Sequence, residues 1–253
     1  MIARGVVAGL LTLGLVNAAG AVVVTVPGTS DPWLAGMPPG STASLGDVAP
    51  AQSPAEVTGL PFVAGNLLRF AATGSTDHCT GGACGLAGPE GDAIEGAFGH
   101  ATGAENGIAD LAAPIDALVG VFLDASQPDL SAAPGGLDFS TLVSRDFAIL
   151  SPLLKQPFFV GDGLRNNGIS VQGFVVPAGA TRLFLGTMDG YGWANNVGSL
   201  SVNVELLSVP EPGMIALFTV ACAGLAFSRR RKLRWVERIS HDTITKFEKG
   251  NRK

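Results

Sequence analysis

The sequence predicts an all-β fold, an antiparallel jelly roll or β-sandwich, and three observations point there. First, residues 199–207 alternate with period two: Leu200, Val202, Val204 and Leu206 fall on one face, Ser201, Asn203 and Glu205 on the other. Such a strand packs one face on a core and shows the other to water. Second, turn formers punctuate the chain: 35 of its 253 residues are glycine and 16 are proline, and the glycines keep no three-residue period, which excludes collagen. Third, helical spacing is scarce, and only 139–149, with Phe139, Leu142, Val143 and Phe147, leaves room for one short helix. At 47% hydrophobic and 15% charged residues, the chain has too much apolar surface to remain disordered in water.

Taken in order, residues 1–21 read as a secretory signal peptide. Arg4 is followed by an apolar run over 5–16 and by the small-residue site Ala19-Gly20-Ala21, with cleavage expected after Ala21. Residues 22–209 are the exported β domain. Within it, 25–55 hold six of the sixteen prolines and are expected to lie as extended chain on the sheets. Strands are expected over 67–71, 117–123, 169–176, 181–188 and 199–207, with Pro177-Ala178-Gly179-Ala180 turning the third into the fourth. The Gly-rich stretch 76–108 reads as a long loop.

Near the other end, Val209-Pro210-Glu211-Pro212-Gly213 leads into the uncharged stretch 213–227 and then into Arg229, Arg230, Arg231 and Lys232. As a helix, 213–227 spans only about 22 Å of a roughly 30 Å hydrocarbon core. The four cations compensate, because they fix the cytoplasmic end and their long stems snorkel at the boundary. Pro210, Glu211 and Pro212 interrupt both helix and strand, leaving extended backbone open to a protease just outside the membrane. This arrangement over 210–232 resembles the PEP-CTERM sorting tag of Gram-negative bacteria. The resemblance implies that an exosortase, a membrane cysteine protease-transpeptidase, cuts near Pro210-Glu211-Pro212. The body would then pass from an inner-membrane intermediate to the cell surface or the extracellular polysaccharide. The remaining 233–253 depart from the tag: Leu233, Val236, Ser240, Ile244 and Phe247 fall at helical spacing among Arg234, Arg238, Lys246 and Lys249. They read either as a basic amphipathic helix at the inner leaflet or as a plain C-terminal extension.

Charge follows the same division. Residues 22–209 carry 5 Lys/Arg against 17 Asp/Glu, a net of −12, whereas 228–253 carry 10 against 3, a net of +7. An acidic body with no basic stripe repels phosphate backbones, so nucleic acid is not an expected partner.

Cys79 and Cys84 lie in Asp77-His78-Cys79-Thr80-Gly81-Gly82-Ala83-Cys84, in the exported part, where thiols oxidise. A local disulfide is the leading reading. The rival is a metal site built from Asp77, His78, Cys79 and Cys84. Cys222 falls in the expected membrane helix.

The segment between the last two expected strands runs Asp189-Gly190-Tyr191-Gly192-Trp193-Ala194-Asn195-Asn196-Val197-Gly198. A plain hairpin needs two to five loop residues. Here about ten hold one carboxylate, two side-chain amides and several glycines, the oxygen-rich make-up that hard cations such as calcium take. Asp189, Asn195 and Asn196 are the candidate metal ligands. With one formal charge in the loop, the affinity expected is the weak one of extracellular modules. The alternative is a turn opened by Asp189-Gly190, with Asn195-Asn196 bonding backbone groups and Trp193 packed on the domain.

Residues 189–204 resemble the calcium-and-sugar loop and final strand of PA-I-type galactophilic lectins, and Gly88-Pro89-Glu90-Gly91-Asp92 is similar to that family's Gly-Pro-x-Gly-Asp stretch. The likeness runs over about 67–205. It implies a calcium ion on Asp189, Asn195 and Asn196 and a galactose-like sugar, or exopolysaccharide, bound through it. Two features depart from the family: the Asp-to-Asn-Asn spacing is one residue shorter, and Glu95 stands where a sugar-contacting His is placed. Tyr191 and Trp193 can replace those contacts by offering an aromatic face to a sugar ring, completing a carbohydrate set of Asp189, Tyr191, Trp193 and Asn195. No G-x-S-x-G elbow, H-E-x-x-H helix or P-loop occurs, so no catalytic residues are assigned and the chain is not expected to be an enzyme.

Overall fold

A computed structural model describes residues 17–43 and 53–208, which fall within one compact unit spanning 16–209. The last described strand, β12 (Val197–Ser208), is its spine. Leu200, Val202, Val204 and Leu206 are fully buried, as the alternation requires, while the odd positions between them face outward or are half-buried. On one side β12 pairs antiparallel with β1 (Asn17–Pro27), on the other with β3 (Leu67–Asp77), whose Leu68 and Phe70 point into the same core. Beyond β3 come β10 (Gly173–Val175) and then β8 (Ile149–Leu150), completing a five-stranded sheet.

The second sheet has the order β2 (Ala55–Glu56), β11 (Arg182–Thr187), β6 (Leu118–Leu123) and β9 (Phe158–Phe159). Every residue of β6 is buried, so its unbroken apolar run reads directly as a central strand. A third, small sheet joins β4 (Ala97–Gly99), β5 (Leu111–Pro114) and β7 (Leu137–Asp138). The one α-helical turn among the described residues, α1 (Leu142–Arg145), sits where the sequence leaves room for it, with Thr141 and Ser144 forming a capping box.

The core lies between the two larger sheets. Phe122 of β6 stacks on Phe158 of β9 at 5.5 Å, Phe158 meets Phe174 of β10 at 5.3 Å, and Phe174 meets Phe70 of β3 at 5.0 Å. This chain of four rings crosses from one sheet to the other, and each contact contributes about 0.5–1.5 kcal/mol beyond simple burial.

The chain is therefore all-β, with three corrections to the expected layout. Pairing is not purely antiparallel, because β8 runs parallel to β10 and β7 parallel to β5. The expected strand over 169–176 shrinks to Gly173–Val175: the Asn167 side-chain oxygen accepts from the backbone N–H groups of Ile169 and Ser170, bending the chain, and Ile169 is left 82% exposed. The stretch 76–108 also holds more order than a loop, since Thr76 and Ala87 exchange both backbone hydrogen bonds and β4 follows. β1 begins at Asn17, upstream of the expected cleavage after Ala21, which leaves Val22–Pro27 paired with 199–204 in a processed chain. Among the described residues no helix is long and apolar enough to cross a membrane. The expected span 213–227, Pro210, Glu211, Pro212, Arg229, Arg230, Arg231, Lys232 and the tail 233–253 lie outside the described residues.

Candidate cation site

Two strand pairs, one from each large sheet, end beside one another. The β6/β11 ladder runs to Leu118 opposite Thr187, and its pattern continues outward: the Met188 N–H donates to the Ala117 carbonyl at 2.8 Å and the Asp116 N–H to the Met188 carbonyl at 2.7 Å. Asp116 and Ala117 thus both face Met188, a bulge that puts Asp116 at the end of the ladder beside the residue preceding Asp189. The β12/β3 ladder runs to Val197 opposite Asp77, so Asn196 and His78 occupy the next position outward. Gly74 and Gly198 permit this close end: both have φ in the left-handed region (+100° and +83°), and a Cβ on either would lie within 2.4 Å of a carbonyl oxygen on the facing strand. The Thr76 hydroxyl donates to the Asp116 carbonyl at 3.3 Å, joining the two pairs.

Asp116, Asp77 and Asp189 are all buried, at 0%, 0% and 3% exposure, and Asn196 is 5% exposed. Asp77 is fully used by backbone: its Oδ1 accepts from the Cys79 N–H at 2.7 Å and its Oδ2 from the Gly85 N–H at 2.6 Å. It therefore organises the 78–85 loop. Asp116 is used by half: Oδ2 bonds His78 Nδ1 at 2.7 Å, while Oδ1 is buried with no partner. Asp189 accepts from the Tyr191 N–H through Oδ1 at 3.2 Å, and its buried Oδ2 has no hydrogen-bond partner. The Asn196 Nδ2 donates to the Gly28 carbonyl at 3.1 Å, and its Oδ1 is likewise buried and unpartnered. A buried acceptor without a donor costs about 1–3 kcal/mol, so three at one end of the fold call for a ligand that supplies positive charge.

Asp116 has a φ of +66°, the left-handed position of the turn that the Ala117 N–H closes on the Pro114 carbonyl. Burial pushes the Asp116 carboxyl upward against the opposing pull of His78, and burial likewise pushes Asp189 upward. For His78, burial lowers the pKa, but the hydrogen bond to Asp116 and the charges of Asp116, Asp189 and Asp77 outweigh it, so the imidazole is shifted upward.

The donor set fits calcium. Carboxylate and amide oxygens are the ligands a hard divalent cation takes, and two carboxylates match its charge. The residues brought together differ from those expected, however. Asp189 and Asn196, both buried, are part of the cluster. Asn195 is not: it is exposed in the 3-10 turn Trp193–Asn195, and its Nδ2 donates to the Thr80 hydroxyl at 3.1 Å. Trp193 offers no face to a sugar. It is fully buried, with its Nε1 donating to the Thr187 carbonyl at 3.0 Å and its ring 5.6 Å from that of Trp33 and 5.7 Å from that of His100. Its expected role at a rim is corrected to one in the core, since burial of so large a ring outweighs its display. Tyr191 is 52% exposed and does stand at the surface beside Asp189. Glu95 is exposed too, its N–H donating to Asp92 at 3.2 Å.

The sulfurs of Cys79 and Cys84 are bonded to each other across a Cα separation of 5.6 Å. His78 and the two sulfurs lie within 4.8 Å of one another, but sulfurs tied in a disulfide have no thiolate to offer a metal. The disulfide closes the loop that carries His78 onto Asp116.

Sequence reasoning missed Asp116. The available signal was a carboxylate abutting the fully apolar run 117–123, a place where a charged side chain stays only with partners. A scan against protein-family models and a search of curated proteins both find no match for this chain.

Proposed function

We propose that the chain is an exported protein, sorted by an exosortase at Pro210-Glu211-Pro212, whose body is a jelly-roll or β-sandwich module that binds carbohydrate through calcium at the cell surface or in exopolysaccharide. The observation carrying this reading is the pair Asp189 and Asn196, buried at the end of the hairpin with unpartnered oxygens. A cation held there and reached past the exposed Tyr191 has coordination positions left over for the hydroxyls of a sugar. Export is supported by Arg4, the apolar run and Ala19-Gly20-Ala21, and by the Cys79–Cys84 disulfide, a bond that persists in oxidising compartments.

A glycan array probed with and without calcium tests the binding. Galactose-containing or exopolysaccharide spots are expected to retain the protein with calcium and to release it on adding EDTA. Equal signals in both conditions would exclude a calcium-mediated contact. A second reading, a structural surface protein that binds neither sugar nor metal, is favoured by the burial of Trp193 and by the Asn195–Thr80 hydrogen bond, which take two of the expected sugar contacts out of reach. It predicts silence on the array and no response to calcium.

A further inference from the structure

We infer that Asp116 is a ligand of the cation, in place of Asn195, so that bound cation fastens the end of one large sheet to the end of the other. The inference rests on the cation-binding reading above and adds to it a residue from another part of the chain. Its first support is the unpartnered Oδ1 of a carboxylate that is 0% exposed. Pairing with His78 accounts for one oxygen of Asp116 and leaves the other facing no donor. The second support is position. Asp116 bulges out opposite Met188, the residue before Asp189, at the end of β6/β11, and His78, which Asp116 holds, lies at the outward continuation of β12/β3 where Asn196 precedes Val197. The three unpartnered oxygens, Asp116 Oδ1, Asp189 Oδ2 and Asn196 Oδ1, therefore come from both sheets.

The alternative ligand, Asn195, is exposed at the surface, where its Nδ2 ties it to the Thr80 hydroxyl, whereas the oxygens of Asp116, Asp189 and Asn196 are buried. Asp77 serves the 78–85 loop instead, each of its oxygens accepting a backbone N–H. Exchange of Asn195 for Asp116 also changes the charge of the set. Two carboxylates and one amide bind a dication more tightly than one carboxylate and two amides, since ligand charge is a main determinant of affinity in calcium sites.

The test is calorimetric titration of calcium into the full chain, freed of metal with a chelator and dialysed, beside three variants. Wild type is expected to bind one calcium. Asp189→Asn is expected to abolish the heat, Asp116→Asn to weaken binding at least about tenfold, and Asn195→Ala to leave it within about twofold. Asp116→Asn binding like wild type, while Asp189→Asn is silent, overturns the assignment of Asp116 and leaves the cation reading standing. A silent wild type overturns both. Because loss of a buried carboxylate can unfold the domain, the wild-type chain supplies a second measurement, the carboxyl carbon resonances of aspartate by NMR. Calcium is expected to shift those of Asp116 and Asp189 together, and an unmoved Asp116 resonance beside a shifted Asp189 contradicts the assignment.

Discussion

Asn195 and Asn196 are sequence neighbours whose side chains do different work, and backbone position separates them. Asn195 ends a 3-10 turn at the surface, whereas Asn196 is the last residue before β12 and turns inward to the Gly28 carbonyl. Asp189 and Asn196 were legible in the sequence because their chemistry is local to one loop. Asp116 and His78 were not, since their closeness to that loop arises only when two sheets meet. Trp193 was misplaced for a related reason: its cavity is made by Trp33 and His100 from distant segments. Trp193→Ala is expected to cost about 3–5 kcal/mol in chemical denaturation, the magnitude for deleting a buried aromatic. A loss below about 1 kcal/mol would place the ring at the surface after all. Glu90 supports a prediction about pH. Its Oε1 accepts from the Asp162 N–H at 2.9 Å, and burial, with the nearby Asp162 charge, raises its pKa above the ordinary 4.5. A carboxyl raised on folding holds its proton more tightly in the folded state, so it weakens the fold as pH rises from its ordinary value through the raised one. Glu90→Gln, which mimics the protonated form, is therefore expected to raise the thermal midpoint at neutral pH and to match wild type under acid conditions. A lower midpoint at neutral pH would show that the ionised carboxylate is the favoured partner of Asp162.

Among the elements, β12 and β6 could be read from the sequence because they carry a period-two pattern and an unbroken apolar run, and β11 because its apolar Leu183-Phe184-Leu185 follows the Pro177–Ala180 turn. The two-residue strands β2, β7, β8 and β9 could not, as two residues define no period. β1 was hidden differently: its Val22, Val24 and Val26 face the core, yet its first residues coincide with the small-residue patch of the expected signal peptide. N-terminal sequencing of the exported chain is expected to begin at Val22, and an unprocessed Met1 would remove the leader. The pinch between β3 and β12 gives the sharpest test at this scale. Gly198→Ala places a Cβ 2.3 Å from the Ser75 carbonyl and demands a left-handed alanine, so a loss of more than about 1 kcal/mol is expected. Replacing Cys79 and Cys84 by serine is expected to cost about 2 kcal/mol, the value for a short closed loop. It should also weaken calcium binding, because the loop holds His78 on Asp116.

For the molecule as a whole, the charge division of −12 over 22–209 against +7 over 228–253 is the feature that organises the export reading. Much of the body's negative charge is solvated, but Asp116 and Asp189 are locked away from water at the joint end of two sheets. Without a counter-ion the desolvation of these carboxylates works against the fold. Calcium is accordingly expected to raise the thermal midpoint of the full chain, and Asp189→Asn to erase that rise while increasing the midpoint measured in EDTA. The fold class could be read from pattern alone, because alternation and turn residues are local signals repeated along the chain. The joint end of the sheets could not, since it is a property of how those strands are laid beside one another. The most direct measurement is an anomalous difference map from crystals of the protein grown with a calcium-mimicking lanthanide. The account predicts one strong peak coordinated by Asp116, Asp189 and Asn196, whereas a clean map at that place, or an ion held by Asn195 away from Asp116, would contradict it.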